Sequence, residues 1–192
     1  MSTTPRILAL AGSTRRDSFN KRLARIAARG AEAAGAEVTV LDLRDVPLPL
    51  FDEDLEREQG PPEPATRLKA LLVGHDGLLV ASPEYNSSIT AVLKNAIDWA
   101  SRPAPGEPPL VAFRGKVAAL LSASPGALGG LRGLVHLRSI LGNIGVVVLP
   151  DQVAVPRAFE AFAEDGSLAD PKQRAAVEGL GRALAGFVAR LK

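Results

Sequence analysis

Cysteine is absent from the 192 residues. That excludes disulfides, thiolate zinc sites, iron–sulfur clusters and cysteine nucleophiles. Aromatic residues are scarce at 4%, with one Trp and one Tyr, whereas 46% of residues are hydrophobic. The core must therefore be built from Ala, Leu, Val and Ile, which suits helices stacked on parallel strands better than an aromatic-rich β-sandwich. No apolar run approaches the roughly 18 residues of a membrane span, and the N-terminal MSTTPR has no apolar signal region. The expectation is a cytoplasmic protein with no membrane partner. Charge of one sign is also missing: 23 basic and 21 acidic residues leave a formal +2. No Lys/Arg block is long enough to form a nucleic-acid footprint, so the computed pI near 9.2 is not read as one. The two histidines, His75 and His136, have no metal-ligand spacing around them, so neither a metal site nor a histidine-based mechanism is expected. The length fits a single domain over 1–192, long enough to bury about 70% of the surface that its unfolded form exposes.

What is present alternates between strand and helix. Ile7 to Ala11 is an unbroken apolar run suited to the middle of a parallel sheet. Phe19, Leu23, Ile26, Ala27 and Ala31 recur at helical spacing over 19–34, and Gly35 is placed to end that helix. AEVTVL (36–41) is a second strand. Residues 42–64, DLRDVPLPLFDEDLEREQGPPEP, mix Pro with acidic residues and predict a long loop with about one short turn of helix, either functional or a solvated excursion. A short helix over 65–74 leads to a third strand, 77–82. Ile89, Val92, Leu93, Ala96, Ile97 and Ala100 mark the buried face of the next helix, which Thr90 or Ser88 caps. A fourth strand over 116–122, a helix over 131–141 and a fifth strand over 145–149 follow. DGSLADP then turns the chain into a final helix lined by Val177, Leu180, Leu184, Phe187, Val188 and Leu191. The pattern predicts an α/β three-layer sandwich with a five-stranded parallel sheet.

Two loops carry the chemistry. Directly after the first strand, Gly12, Ser13, Thr14, Arg15, Arg16, Asp17, Ser18 and Asn20 place hydroxyls, guanidinium groups and an amide at the start of a helix. Free N–H groups there, the helix dipole and an Arg able to hold a phosphate by two parallel bonds make an anion site. The bland alternative is a polar loop in which Ser18 or Asp17 caps the helix and the arginines are solvated. After the third strand, Pro83 stiffens a turn carrying Glu84, Tyr85, Asn86, Ser87 and Ser88. In an open α/β sheet the first and third strands flank the point where winding reverses, so this loop faces the anion loop. Tyr85 beside a polar loop suits a planar heterocycle; otherwise Tyr85 is a packing residue and Glu84 a solvated charge. A third turn, ASPGALGGLRG, has Gly126, Gly129 and Gly130 where something can approach the backbone closely.

GSTRRDSFN (12–20), PEYNSSITAVLKNAIDW (83–99) and SPGALGGLR (124–132), in this order and at these separations, resemble the NADPH-dependent FMN reductases, flavodoxin-like proteins that include chromate, quinone and azo-dye reductases. The resemblance spans about residues 5–150, with the last helix matching loosely. It implies a flavodoxin-like sheet of order 2-1-3-4-5, FMN as cofactor and NADPH or NADH as electron donor. Ser13, Arg15, Ser18 and Asn20 would bind the FMN phosphate. Pro83, Glu84, Tyr85 and Asn86, with Ser87 nearby, would wrap the isoalloxazine edge, and Ser124, Pro125 and Gly126 would border the flavin. It further implies a homodimer or homotetramer built on the helices after strands three and four, ping-pong transfer to a small-molecule acceptor (quinone, azo compound, chromate or free flavin), and no catalytic side chain, since the flavin carries the chemistry. Arg15, Arg16 and Arg114 are candidates for a 2′-phosphate. One departure stands out: Thr90 occupies a position where many relatives have Pro.

Three rival readings fit less well. A Rossmann dehydrogenase needs G-x-G-x-x-G after the first strand, where this chain has only Gly12, although Asp42 stands where a ribose ligand would. A phosphoacceptor module needs acidic residues after strand one and an Asp after strand three, where Gly12, Ser13 and Ser82 stand. A flavodoxin that carries electrons without oxidising NADPH is usually strongly acidic, and this chain is at +2.

Overall fold

Alternation along the buried strands divides the interior into two cores. The structure is a computed structural model that describes residues 4–192. The expectation placed on MSTTPR therefore falls partly on residues 1–3, outside the described residues. Strands β1 (Arg6–Ala11), β2 (Glu37–Leu41), β3 (Gly77–Ala81), β4 (Val117–Ala123) and β5 (Val147–Val155) form one parallel sheet in the order β2-β1-β3-β4-β5. Ile7, Ala9, Ala11, Leu79, Ala81, Ala119 and Ala123 face one core under helices α1 (Phe19–Glu32) and α7 (Pro171–Leu191). Leu8, Leu10, Leu78, Val80, Ala118 and Leu120 face the other, under α3 (Glu63–Val73), α4 (Ala91–Ser101) and α5 (Leu131–Asn143). A three-layer α/β sandwich results, with the sheet in the middle.

Small residues set the spacing of the first layer. Where α1 crosses α7, a Cβ on Gly30 would lie 2.0 Å from the Glu178 carbonyl oxygen, and one on Gly181 would lie 1.9 Å from that of Ala27. The two helix backbones touch there, and no side chain fits between them.

The 42–64 segment is not a solvated excursion. It contains a 3₁₀ turn at Leu43–Asp45, started by Asp42, and the helix α2 (Glu53–Gln59), capped by the Asp52 carboxylate. Between them the chain is fastened to α4. Trp99 Nε1 and Asn95 Nδ2 both donate to the Pro49 carbonyl at 2.8 Å, and Asn95 Oδ1 accepts from Phe51 N at 2.8 Å. Arg102 Nε is shared between both Glu56 carboxylate oxygens at 3.0 and 2.9 Å. Asn95, Trp99 and Arg102 stand at i, i+4 and i+7, so these bonds come from one helical face, while Lys21 and Arg67 hold Asp42 and the Asp45 carbonyl from other helices.

The fifth strand also differs from the expectation of 145–149. It runs on to Val155, through a register jump in which Ala118 pairs with Val148 but Leu120 with Gln152. Pro150 and Asp151 look like strand enders, yet this is an edge strand and they sit in the bulge, where a missing N–H leaves no ladder bond open. The Arg138 guanidinium holds the bulge by its Leu149 and Pro150 carbonyls, at 2.8 and 3.2 Å. The extra length carries the chain to the carboxyl end of the sheet, where the short helix α6 (Ala158–Ala161) follows.

In an open helix Gly→Ala stabilises by about 1 kcal/mol. Gly181→Ala should instead destabilise this protein by about 2 kcal/mol or more, because the new methyl overlaps the Ala27 carbonyl. Thermal or urea unfolding followed by circular dichroism measures it; an unchanged midpoint would contradict the close α1–α7 packing.

Candidate functional site

Three loops leave the carboxyl ends of β1, β3 and β4 and enclose one pocket, at the reversal of winding between β1 and β3. Its walls are Ser13, Arg15, Ser18, Phe19, Asn20, Pro83, Glu84, Tyr85, Ala123, Ser124 and Pro125. Nine of the residues singled out in the sequence thus meet: Ser13, Arg15, Ser18, Asn20, Pro83, Glu84, Tyr85, Ser124 and Pro125. Asn86, Ser87 and Gly126 flank the pocket in sequence without lining it.

The first loop presents an anion-ready helix start. Ser18 occupies the N-cap position of α1, but its hydroxyl makes no capping bond. The N–H groups of Thr14, Arg16, Asp17 and Ser18 have no partner among the described residues, and Arg15 N turns to Ser13 Oγ at 3.3 Å. No acidic residue lies in the first turn of α1. Donors and the positive end of the helix therefore face the pocket uncompensated. The Arg15 guanidinium donates to the Asp17 carbonyl at 2.6 Å and lies 5.5 Å from the Phe19 ring centroid.

Asn20 lines the pocket and also braces it. Its Nδ2 donates to the Ala123 carbonyl at 2.8 Å, and its Oδ1 accepts from the Ala123 N–H at 2.9 Å. The amide ties the start of α1 to the end of β4. Thr90 makes a matching tie between the first loop and the second. Its Oγ1 donates to the Gly12 carbonyl at 2.7 Å and accepts from Leu93 N at 3.2 Å, capping α4. The helix thus starts at Ala91, two residues later than the apolar spacing from Ile89 suggests. A Pro at position 90 has no hydroxyl for either bond.

The second loop is a tight hairpin turn. Tyr85 N and Ser88 N each donate to the other residue's carbonyl, at 2.9 and 3.0 Å, while Asn86 and Ser87 take φ of 50° and 66°. Two consecutive positive φ values define the turn type that suits twisted strands. Tyr85 stands at its base with 59% of its surface exposed, beside the pocket.

Glu84 is no solvated charge. Its side chain is 7% exposed; it accepts from Arg132 Nε at 2.8 Å and from Gly133 N at 3.0 Å. The α5 N-cap is Gly130, which has no side chain to offer, so a carboxylate from another loop serves the end of that helix. Gly130 is required there: at φ 90° a Cβ would lie 1.9 Å from Ser122 Oγ. Ser122 Oγ in turn donates to the Ser82 carbonyl at 2.7 Å. Burial alone would raise the Glu84 carboxyl, but the hydrogen bonds from Gly133 and Arg132 and the Arg132 charge outweigh it and hold it below the ordinary carboxylate range.

Phe19 and Ala123 line the pocket without having been singled out as site residues in the sequence. Phe19 was absorbed into the apolar face of α1; its place directly after the anion loop was the available signal. Arg114 lies at the opposite end of the sheet with His75 and Asp76, so it cannot share an anion with Arg15 or Arg16. His75 is held there by the Leu71 carbonyl and Thr39 Oγ1. His136 contacts Ser88 Oγ at 2.9 Å from α5. Among the described residues no cluster of three or more His, Asp or Glu side chains could hold a metal, and no helix is long and apolar enough to cross a membrane.

The sequence model of the NADPH-dependent FMN reductases matches residues 5–160, all three loops included. The chain belongs to that family. Relatives of this reductase include an NAD(P)H-dependent FMN reductase of Pseudomonas aeruginosa, 38% identical with both chains covered in full. A quinone reductase of Escherichia coli is 36% identical over 78% of this chain and 76% of its own. Among solved structures, the flavoenzyme NAD(P)H:(acceptor) oxidoreductase FerB of Paracoccus denitrificans superposes with a TM-score of 0.81 at 31% identity, covering 97% of this chain and 98% of its own.

Because the folded Glu84 carboxyl is lowered, its contribution to stability is full above the unfolded value near 4.5 and fades as pH falls through the lowered folded value. Glu84→Gln should therefore destabilise by about 1–3 kcal/mol at pH 7, with the difference from the parent shrinking toward pH 3. Unfolding midpoints at the two pH values test this; a difference independent of pH would contradict it.

Proposed function

We propose that this protein binds FMN in the three-loop pocket, oxidises NAD(P)H and delivers the electrons by ping-pong turnover to a small acceptor of the quinone class, with azo compounds, chromate and free flavin as further acceptors. The observation that carries the reading is the pairing, in one pocket, of an uncapped helix start with an exposed aromatic rim. Ser13, the free N–H groups of Thr14, Arg16, Asp17 and Ser18, and the Ser18 and Arg15 side chains suit a phosphate. Pro83, Tyr85 and the turn at Asn86 and Ser87, facing Ser124, Pro125 and Gly126, suit the edge of a flat polar heterocycle. Bound FMN supplies the redox chemistry, accepting hydride from a nicotinamide and returning electrons to the second substrate. The chain's own residues bind and orient. Asn20 and Thr90 keep the loops in register from behind, and Glu84 fixes the turn from the side of α5.

Assembly as a homodimer or homotetramer through α4 and α5 belongs to the same reading. Its support is an apolar surface beside the pocket: Leu128, Leu131, Val135 and Tyr85 are all exposed.

Two experiments test the function. Protein loaded with FMN, desalted and mixed anaerobically with NADPH should retain flavin bands and bleach; retained bands that neither NADPH nor NADH bleaches would point to an electron carrier. Arg15→Ala should weaken FMN binding by about tenfold or more, and Arg16→Ala by about twofold or less. Equal small losses would contradict the assigned phosphate end.

A further inference from the structure

The phosphate end of the pocket does not close. Phe19, its wall there, is the centre of an aromatic cluster, stacked on Phe162 at 5.3 Å and 24° and met edge-on by Phe159 at 5.3 Å and 87°. Phe159, on α6, has 71% of its surface in solvent. The guanidinium groups of Arg15 and Arg22 approach the Phe19 ring, their central carbons 5.5 and 5.8 Å from its centroid. Neither forms an ion pair with a carboxylate of the described residues. Arg22 also lines a separate groove along α1 with Arg25 and Arg29, whose other wall is Glu164, Asp165 and Gly166.

Isolated exposed hydrophobics are ordinary on protein surfaces. An exposed phenyl ring packed on Phe19, which two guanidinium groups without carboxylate partners also approach at the wall of a phosphate pocket, has a more specific chemistry: a second phosphate and a flat base. We propose that the pocket accepts FAD as well as FMN, with the second phosphate between Arg15 and Arg22 and the adenine against Phe159. A ligand attached through the flavin phosphate emerges at this end, whereas a nicotinamide dinucleotide meets the ring at the Tyr85 end. The inference rests on the assignment of the flavin phosphate to the start of α1.

Isothermal titration calorimetry of apoprotein with FAD and, separately, with FMN tests it in the parent, Phe159→Ala and Arg22→Gln. In the parent, FAD should bind at least as tightly as FMN. Phe159→Ala should weaken FAD about tenfold and Arg22→Gln about fivefold, each leaving FMN within about twofold. The proposal is overturned if FAD binds the parent tenfold or more weakly than FMN, if neither variant changes FAD affinity, or if both flavins lose equally. A rise in the KM for NADPH with FAD affinity unchanged would also overturn it, by giving the cluster to the donor. Failure of FMN itself to bind the parent would remove the flavin reading beneath it.

Discussion

Asn20 and Ala123 are 103 positions apart, yet one side-chain amide satisfies both backbone groups of the other residue. The geometry of the crevice depends on that pair of hydrogen bonds. An uncapped helix N-terminus is useful as an anion site only if its N–H groups are held at a fixed distance from the opposite wall, and here the wall is the end of β4. A buried amide with both ends satisfied has one low-energy arrangement, because moving it would leave two buried backbone groups unpaired. The Thr90 bond to Gly12 and the Ser122 bond to Ser82 repeat the device between the remaining neighbours. Three loops that would otherwise move separately are thereby held as one surface.

The composition of the sheet makes such ties reachable. Ala9, Ala11, Ala81, Ala119 and Ala123 give the face under α1 and α7 very little relief, and Gly30 and Gly181 let those helices touch. A helix drawn this close brings the amide of its second residue within hydrogen-bond reach of the β4 backbone. The scarcity of aromatics and the pocket's rigidity are thus two aspects of one packing solution. The aromatics that do occur lie outside the sheet: Trp99 and Phe51 fasten the 46–52 segment to α4, and Phe19, Phe159 and Phe162 cluster at the mouth of the pocket.

Most of the architecture was legible because buried parallel strands leave unbroken apolar runs, and β1, β3 and most of β4 are such runs, whereas β2, at the sheet edge, has no buried residue. The fifth was cut short at Leu149 because Pro150 and Asp151 break the run. That they sit in a bulge of an edge strand, held by Arg138, is a tertiary fact. The 42–64 segment looked like loose loop for a similar reason: its fastening comes from Asn95, Trp99 and Arg102, none of which announces a partner 46 to 50 positions away. At the site, the anion loop and the turn after β3 were visible as residue types. The division of labour was not. Ser18 leaves the helix uncapped, while Asn20 braces the wall and Glu84 faces α5, the last two set by neighbours distant in sequence.

At the centre of the account is the claim that the start of α1, left without a cap, holds a phosphate. Comparing the affinities of the apoprotein for FMN and for riboflavin, which carries the same ring and lacks the phosphate, isolates that claim. Charge-assisted bonds of about 1.5–3 kcal/mol each predict that FMN binds at least about a hundredfold more tightly, with the advantage shrinking in high salt. Equal affinities would contradict the account, because the ring alone would then hold the cofactor and the open helix end would have no guest.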